Sequence, residues 1–318
     1  MQVSFIIPLY NCLAHTQECL RTLQATLPAG LAHEIIFVDD GSTDGTRAWL
    51  ATLSAPCRII LNEQNLGFAG ACNRAAAVAD SEFLFFLNND LVLLPGWFGP
   101  MLGLLDRPHT ALVGNIQLSV RSGTLDHAGV RFNEKGKPEH DRTRPLLARL
   151  RGWREVTAVT GACFGIRRTV WERLGGFDPG FRNGGEDVDL ALRAGAAGLR
   201  TLVSLRSVVG HHVSASLGRK LRDEHNSRRL AVRWRGAIVS LSARAWARHH
   251  ITTLWDRSCV FDDALARAAL WAALGGTIAH SVLDGMQSAF EREIVRWHVL
   301  LDGAAPPVER SRAYPPRI

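Results

Sequence analysis

The sequence is poor in lysine, tyrosine and methionine and has no paired cysteines. Of 37 basic residues in 318, only Lys135, Lys137 and Lys220 are lysine; Tyr occurs twice and Met three times. The six cysteines stand at 12, 19, 57, 72, 163 and 259, with no C-x-x-C and no zinc-finger spacing. That excludes a zinc-finger or dithiol redox module and leads us to expect buried small hydrophobes in a reducing cytosol. No charged n-region with a small-residue cleavage site opens the chain, so no signal peptide is expected. The longest uncharged stretch of the apolar C-terminal part, 268–283, is too short to span a bilayer and contains Gly275, Gly276 and His280. G-x-G-x-x-G is missing after the first strand pattern and G-x-x-x-x-G-K-[ST] is missing throughout, which argues against nicotinamide, flavin and P-loop sites. No repeat of solenoid period occurs. Hydrophobic residues at 47% and charged ones at 21% rule out a largely disordered chain, a collagen-like repeat and a heptad rod.

Charge is present but unevenly placed. The formal net charge is +7; residues 215–318 hold 16 basic and 10 acidic residues, so nearly all of the excess lies there. An acidic partner is the general implication: nucleic acid, an anionic membrane or a phosphorylated substrate.

The first third alternates two patterns. Val3–Pro8, Glu34–Val38, Cys57–Leu61 and Glu82–Leu87 are continuous apolar runs, as in strands buried on both faces of a parallel sheet. Between them, His15–Leu27, Thr43–Leu53 and Gly67–Ala79 read as helices, so βαβ units are predicted. Each strand ends in polar residues, and ligands of open α/β sheets sit at the carboxyl ends of strands. Segment 113–132 reads as strands and turns, 133–154 as a charged, mobile surface loop, 168–174 and 185–198 as helices, and 202–209 as a strand.

Four clusters carry chemistry. Asp39-Asp40-Gly41-Ser42 presents two carboxylates at a strand end, able to accept hydrogen bonds from a base or ribose, or to serve a helix cap through Ser42 and Asp44. Asn88-Asn89-Asp90 ends a strongly apolar strand, where a carboxylate flanked by amides suits Mg²⁺ or Mn²⁺ shared with phosphates, or simply a turn. Glu186-Asp187-Val188-Asp189 sets three acids at a helix start, where the dipole favours negative charge and a carboxylate can act as general base; Asp189 and Arg193 form a structural i,i+4 pair. His211-His212 follows a strand and offers metal ligands or structural histidines.

Their order and spacing are together specific. The run SFIIPLYN, EIIFVDDGSTDGT, NEQNLGFAGACN, FLFFLNND, VTGACFGIRR, LGGFDPGF, GEDVDLALRA and GHHVSAS resembles the family 2 glycosyltransferases with the GT-A fold, in the rhamnosyltransferase-like branch that builds bacterial surface polysaccharides. The resemblance covers residues 3–216. It implies an α/β, Rossmann-like domain with a mostly parallel central sheet flanked by helices, and an inverting, metal-dependent transfer of a sugar from a nucleotide diphosphate to a hydroxyl of a glycan or lipid-linked acceptor. By resemblance, Pro8 and Tyr10 line the nucleobase pocket, Asp40 contacts the base and Asp39 orients its loop. Asn65, Gly67, Gly70 and Asn73 match N-x-G-x-x-G-x-x-N, which passes close to the nucleotide. Asn89 lies by the ribose, and Asp90 binds Mg²⁺ or Mn²⁺. Gly161 and Ala162 lie beside the donor sugar. Asp187, next to Glu186, is the base, and His211 completes the metal shell, with His212 as the alternative. One departure is Asn88, where the family's metal triplet carries Asp; the amide binds a hard cation more weakly. A UDP- or dTDP-sugar is the favoured donor.

The expected layout is a nucleotide-sugar-binding half to residue 110, an acceptor-side half over 111–215, and a basic helical extension over 216–318. In the extension, Leu230, Trp234, Ile238 and Leu241 recur near the helical period among arginines, and Trp234, Trp246, Trp255, Trp271 and Trp297 fall here. Two readings stay open: a helical subdomain that packs its tryptophans on the core or on a second copy, and peripheral docking on the inner face of the cell membrane of a cytoplasmic protein. Nucleic acid is not expected, since no recognised motif supports it. The tail 304–318 reads as loosely ordered.

Overall fold

A computed structural model describes residues 3–143, 145–212, 219–256 and 264–303. The tail 304–318, Cys259 and the side chain of Trp255 lie outside the described residues. The chain divides into two compact units, Met1–Asn133 with Lys137–Leu230, and Glu134–Gly136 with Ala231–Ile318.

The first unit opens with β1 (Val3–Leu9), α1 (Leu13–Thr26), β2 (His33–Asp39), α2 (Thr46–Leu50), β3 (Cys57–Leu61), α3 (Gly67–Ala76) and β4 (Phe83–Leu87). β1 is parallel to both β2 and β4, and β2 to β3. In β1, β2 and β4 the apolar runs are continuous because both faces are covered; Cys57–Leu61, expected to be buried likewise, is only partly buried because β3 is the edge strand. Phe5, Ile7, Phe37 and Phe85 pack on one side with Trp97 and Phe98, while Ile6, Ile36, Val38 and Phe86 pack on the other with the alanines of α3. α3 is built from small residues (GFAGACNRAA), which lets its backbone lie close to the sheet.

Then follow β5 (Leu91–Leu93), α4 (Phe98–Leu105), β6 (Thr110–Ser119), β7 (Leu125–His127), β8 (Val130–Phe132), β9 (Pro138–His140), α5 (Leu146–Arg151), β10 (Trp153–Val156), β11 (Cys163–Arg167), α6 (Arg168–Leu174), α7 (Glu186–Ala196) and β12 (Arg200–His211). The main sheet has the order β10-β12-β6-β11-β4-β1-β2-β3, with β5 on β12 and β7 on β6. β11 runs antiparallel to β4, so its first residue, Cys163, pairs with Leu87, the last of β4. The residues just before β11 therefore join the tips of β1, β2 and β4 at one edge. β5 pairs antiparallel with β12 and sets His211 opposite Leu91, the neighbour of Asp90.

Segment 133–154 is not the loop that its charge suggested. Val130–Phe132 pairs with Pro138–His140 as an antiparallel ribbon, and α5 and β10 follow. Its charges are used in pairs: Arg154 with Asp141 at 2.7 Å and Lys137 with Glu224 at 2.9 Å. Of the five described cysteines, Cys19, Cys72 and Cys163 are buried as expected, but Cys12 is exposed at the turn before α1.

The remaining helices are α8 (Arg219–Asp256), α9 (Ala264–Ala273) and α10 (His280–Asp302). α8 is broken at Trp234, whose φ of −117° is not helical. Leu230 and Ile238 are buried, but Leu241 is exposed, and Val239, Ala243, Trp246 and Ala247 are buried in its place. Within the second unit, Ile238, Val239, Ala243, Trp246 and Ala247 are buried, as are Ala266, Ala269, Ala272, Val282, Met286, Phe290 and Trp297. Trp246 and Trp297 are thus core residues, whereas Trp271 is 59% exposed. Among the described residues no helix is long and apolar enough to cross a membrane.

Candidate active site

The tips of β1 and β2 are laced together by side chains. Asn11, in the left-handed region at φ 57°, accepts from the backbone N–H of Thr43 at 2.8 Å, and its own N–H donates to Ser42 Oγ at 2.7 Å. The two acids that follow β2 are held differently. Asp39 is fully buried and accepts from Arg47 Nε at 2.6 Å and from the Ser42 N–H. It faces into the protein. The Asp40 carboxylate accepts from Asn62 Nδ2 at 2.7 Å and from the N–H groups of Leu66 and Gly67, both at 2.8 Å. It pins the loop that opens α3. Gly67 is required there, since its φ of +74° lies in the left-handed region while its N–H must reach Asp40.

Asn73 sits further along α3 and clamps the backbone of Phe177, donating to its carbonyl at 2.8 Å and accepting from its N–H at 2.9 Å. This ties α3 to the G-G-F-D-P turn.

At the β4 tip, the backbone of Asn88 donates to Ala162 O at 2.8 Å, which fixes the start of β11 beside the Asn-Asn-Asp triplet. Asn89 donates to Thr16 Oγ1 on α1 at 2.9 Å. The Asp90 carboxylate lies 3.2 Å from His211 Nε2. Asp90 Oδ1 and His211 Nδ1 are both buried, and neither has a hydrogen-bond partner among the described residues. A half-buried carboxylate with an oxygen left unpaired against an imidazole nitrogen is a donor set that suits a divalent cation. His212 points elsewhere: its Nε2 lies 3.1 Å from Glu18 on α1.

The opposite wall is the start of α7. Gly184 and Gly185, at φ +144° and +91°, turn the chain so that Glu186 and Asp187 occupy the first helical turn, where the dipole favours negative charge. Asp187 Oδ2 accepts from the Gly161 N–H at 2.6 Å and Oδ1 from the Val188 N–H at 2.8 Å. Gly161 allows that approach, since a Cβ there would press on the Phe68 ring at 3.1 Å. Glu186 is buried and accepts from the Gly184 N–H at 2.8 Å. Burial, and then the neighbouring Asp187, push the Glu186 carboxyl up to about 8, so it carries a proton at neutral pH. Burial also raises Asp187, against the Gly161 and Val188 N–H groups, which favour its ionised form. Asp189 is buried against Arg193 at 2.8 Å; the guanidinium also donates to the carbonyls of Leu174 and Gly176. This pair is structural.

Between these walls is a cavity of about 810 Å³. Of the residues singled out in the sequence, Pro8, Tyr10, Asp40, Asn65, Asn89, Asp90, Gly161, Ala162, Glu186 and Asp187 line it. Asp39, Gly67, Asn73 and His211 are not in the lining; Gly67 donates to Asp40 and His211 faces Asp90, and both of those carboxylates line it. Two groups in the wall were not singled out. Lys137, Pro138, Glu139 and His140 line it from β9 and the residue before it, and Arg222, Asp223, Glu224, Asn226, Ser227 and Leu230 line it from the first turns of α8. The first was hidden by its charge, although the Pro138–His140 register with β8 gives it strand geometry. Nothing in the sequence pattern distinguished the second from an ordinary basic helix. Behind His140 lies His127, fully buried, whose imidazole is held well below its ordinary value by burial, with His140 and Arg154 nearby, so it stays neutral.

Comparison with known proteins places these features in context. The family profile described as Glycosyl transferase family 2 matches residues 4–175. The O-antigen biosynthesis protein RfbC of Myxococcus xanthus is 34% identical over 228 residues, which cover 68% of this chain and 18% of that protein. Polypeptide N-acetylgalactosaminyltransferase 5 of Caenorhabditis elegans is 29% identical over 218 residues, 60% of this chain and 34% of that protein. The chain thus spans only about a fifth to a third of the length of these curated relatives. Among solved structures, GalNAc-T7 with UDP, GalNAc and Mn²⁺ is similar at TM-score 0.62 and 15% identity, over 96% of this chain and 59% of that one. The mannosyltransferase PcManGT of Pyrobaculum calidifontis, with GDP-Man and Mn²⁺, is similar at TM-score 0.57 and 20% identity, over 95% and 88%. These likenesses establish a GT-A type fold.

Proposed function

The chain belongs to glycosyl transferase family 2, and on that premise we propose that it is an inverting glycosyltransferase that moves a sugar from a nucleotide diphosphate to a hydroxyl of a glycan or lipid-linked acceptor. The observation that carries this reading is one cavity lined by both Asp187 and Asp90, with His211 behind Asp90.

Pro8, Tyr10, Asp40 and Asn65 receive the nucleobase, with a uridine or thymidine donor favoured. Asp40 serves by fixing the loop against which the base lies, and Asp39 by anchoring the β2 tip through Arg47. Asn73 and Gly67 hold the same segment in place from α3. Asn89, oriented by Thr16, meets the ribose. Gly161 and Ala162 border the donor sugar, so the anomeric carbon faces Asp187. Asp90 and His211 would hold Mg²⁺ or Mn²⁺. Such a cation, when bound, supplies Lewis-acid neutralisation of the charge that grows on the leaving diphosphate.

The acceptor hydroxyl has a high pKa and must lose its proton as it attacks. Asp187 is placed to take it. Two backbone N–H groups favour its ionised form, its raised pKa makes it a stronger base than an ordinary aspartate, and the Gly161 N–H fixes its orientation. Protonated Glu186 keeps a second negative charge away from the reacting hydroxyl. Attack from the Asp187 side, opposite the diphosphate, inverts the anomeric centre. Residues 1–110 then act as the nucleotide-binding half and 111–215 as the acceptor side. The basic 216–318 region contributes Arg222 and its neighbours to the wall, and through its remaining helices is a candidate for contact with an anionic membrane surface or a second copy.

A panel of nucleotide sugars, screened by donor hydrolysis and followed by NMR of the product's anomeric configuration, tests this. Inversion with a nucleotide-diphosphate sugar is expected. Retention of configuration would overturn the single-displacement reading. A non-catalytic sugar-nucleotide-binding protein would bind donors and transfer nothing.

A further inference from the structure

We propose that His15, Glu18 and His212 form a second divalent-metal site, separate from Asp90 and His211 and selective for ions that prefer imidazole nitrogen, Zn²⁺ above all. The inference is independent of the transfer reaction.

His15 and Glu18 are three residues apart on α1 and so share one helix face. His212 follows the end of β12 and reaches the same face. Its Nε2 lies 3.1 Å from Glu18 Oε2, and its ring lies against that of His15 with centroids 4.4 Å apart at 35°. One ligand atom from each residue falls within 4.8 Å of the others. A tetrahedral zinc site with bonds of about 2.0–2.2 Å holds its ligand atoms roughly 3.3–3.6 Å apart, so side-chain rotations of under about 1 Å complete the set. Two imidazoles and one carboxylate with the fourth position left to water is a donor set that zinc accepts and that Mg²⁺, which prefers oxygen, does not. All three side chains are only partly buried, with Glu18 39% and His212 26% exposed, which leaves an entry path from solvent.

The site is distinct from the cavity. His15, Glu18 and His212 are absent from its lining, and His211 and His212, as consecutive residues at a strand end, point to opposite sides. Each histidine therefore serves one carboxylate: His211 serves Asp90 and His212 serves Glu18. The two places are nevertheless tied through the backbone. The His212 N–H donates to the Asp90 carbonyl at 3.0 Å, and Thr16, next to His15, receives the hydrogen bond of Asn89 at 2.9 Å. An ion at the second site grips α1 and the end of β12, the two segments against which the Asn88-Asn89-Asp90 tip is built.

The test uses the full chain free of any affinity tag, with Zn²⁺ alone as the probe, in equilibrium dialysis at ion concentrations near that of the protein. Wild type, with no nucleotide present, is expected to bind at least one ion per chain. Asp90→Asn should bind one, unaffected by excess Mg²⁺. Adding His15→Ala to Asp90→Asn should abolish that remaining ion, and adding Glu18→Gln instead should weaken it at least about tenfold. Glu18→Gln keeps the side chain's volume and its hydrogen bond to His212, so a folding defect in the alanine variant does not hide the result. Failure of Asp90→Asn to hold any Zn²⁺ would overturn the proposal, as would an ion in that variant that neither His15→Ala nor Glu18→Gln weakens.

Discussion

Glu186 makes stability depend on pH in a direction that can be worked out from the site. Its carboxyl is raised from an ordinary value of 4.5 to about 8 by burial and by Asp187. A carboxyl raised in the folded state binds its proton more tightly there than in the unfolded chain. Stability is therefore greatest below the unfolded value and falls as pH rises towards the folded one. Between about pH 5.5 and 7.5 the native state holds nearly one proton more than the unfolded state, and one proton corresponds to about 1.4 kcal/mol per pH unit. The loss over that window is roughly 2–3 kcal/mol from this group alone. Glu186→Gln keeps the shape and removes the titration. Urea unfolding of both proteins at several pH values, followed by far-UV circular dichroism, is expected to show wild type losing roughly 2–3 kcal/mol more than the variant between those limits. Parallel stability curves would refute the reasoning, because they would mean that Glu186 is ionised at neutral pH and that the acidic pair carries two charges.

Three further outcomes follow from the same geometry. Asp40→Ala leaves the N–H groups of Leu66 and Gly67 without their acceptor and is expected to cost about 1–3 kcal/mol in denaturant unfolding, with donor KM raised more than kcat is lowered. Arg193→Ala removes the guanidinium from fully buried Asp189 and should destabilise the first unit by roughly 3–5 kcal/mol, while Lys at the same place should restore only part of this because it lacks the fork that reaches Leu174 and Gly176. Asn88 supplies an amide where a carboxylate would bind a hard cation more strongly. Calorimetry should therefore show Mg²⁺ or Mn²⁺ binding at least about tenfold tighter with a nucleoside diphosphate present, and equal affinities would contradict it.

The nucleotide-binding half was legible because buried parallel strands need apolar side chains on both faces. Phe5–Leu9 and Phe83–Leu87 announce themselves as runs with no polar interruption, and the polar residues that end them fall at the ligand edge of the sheet. What the sequence hid was hidden for particular reasons. Pro138–His140 is a strand whose neighbours are charged, since Lys137 is satisfied by Glu224 and Arg154 by Asp141 rather than by solvent, and so it reads as a loop. The helical stripe through Leu230 and Ile238 fails at Leu241, which is exposed while Ala243 and Trp246 are buried, and the backbone leaves helical geometry at Trp234; the period alone shows neither. The roles of Asp39 and Asn73 depended on which way a polar side chain turns. Only the contacts with Arg47 and Phe177 show that both turn away from the cavity lining to hold neighbouring structure.

The most direct measurement is single-turnover transfer by Asp187→Asn beside donor binding by the same protein. The account predicts that transfer falls by about 10²–10⁴-fold while the donor binds within about threefold of wild type, since the amide keeps the Gly161 contact but cannot take the acceptor's proton. Transfer retained within about tenfold of wild type would contradict it, because the proton would then have to leave to some group other than Asp187.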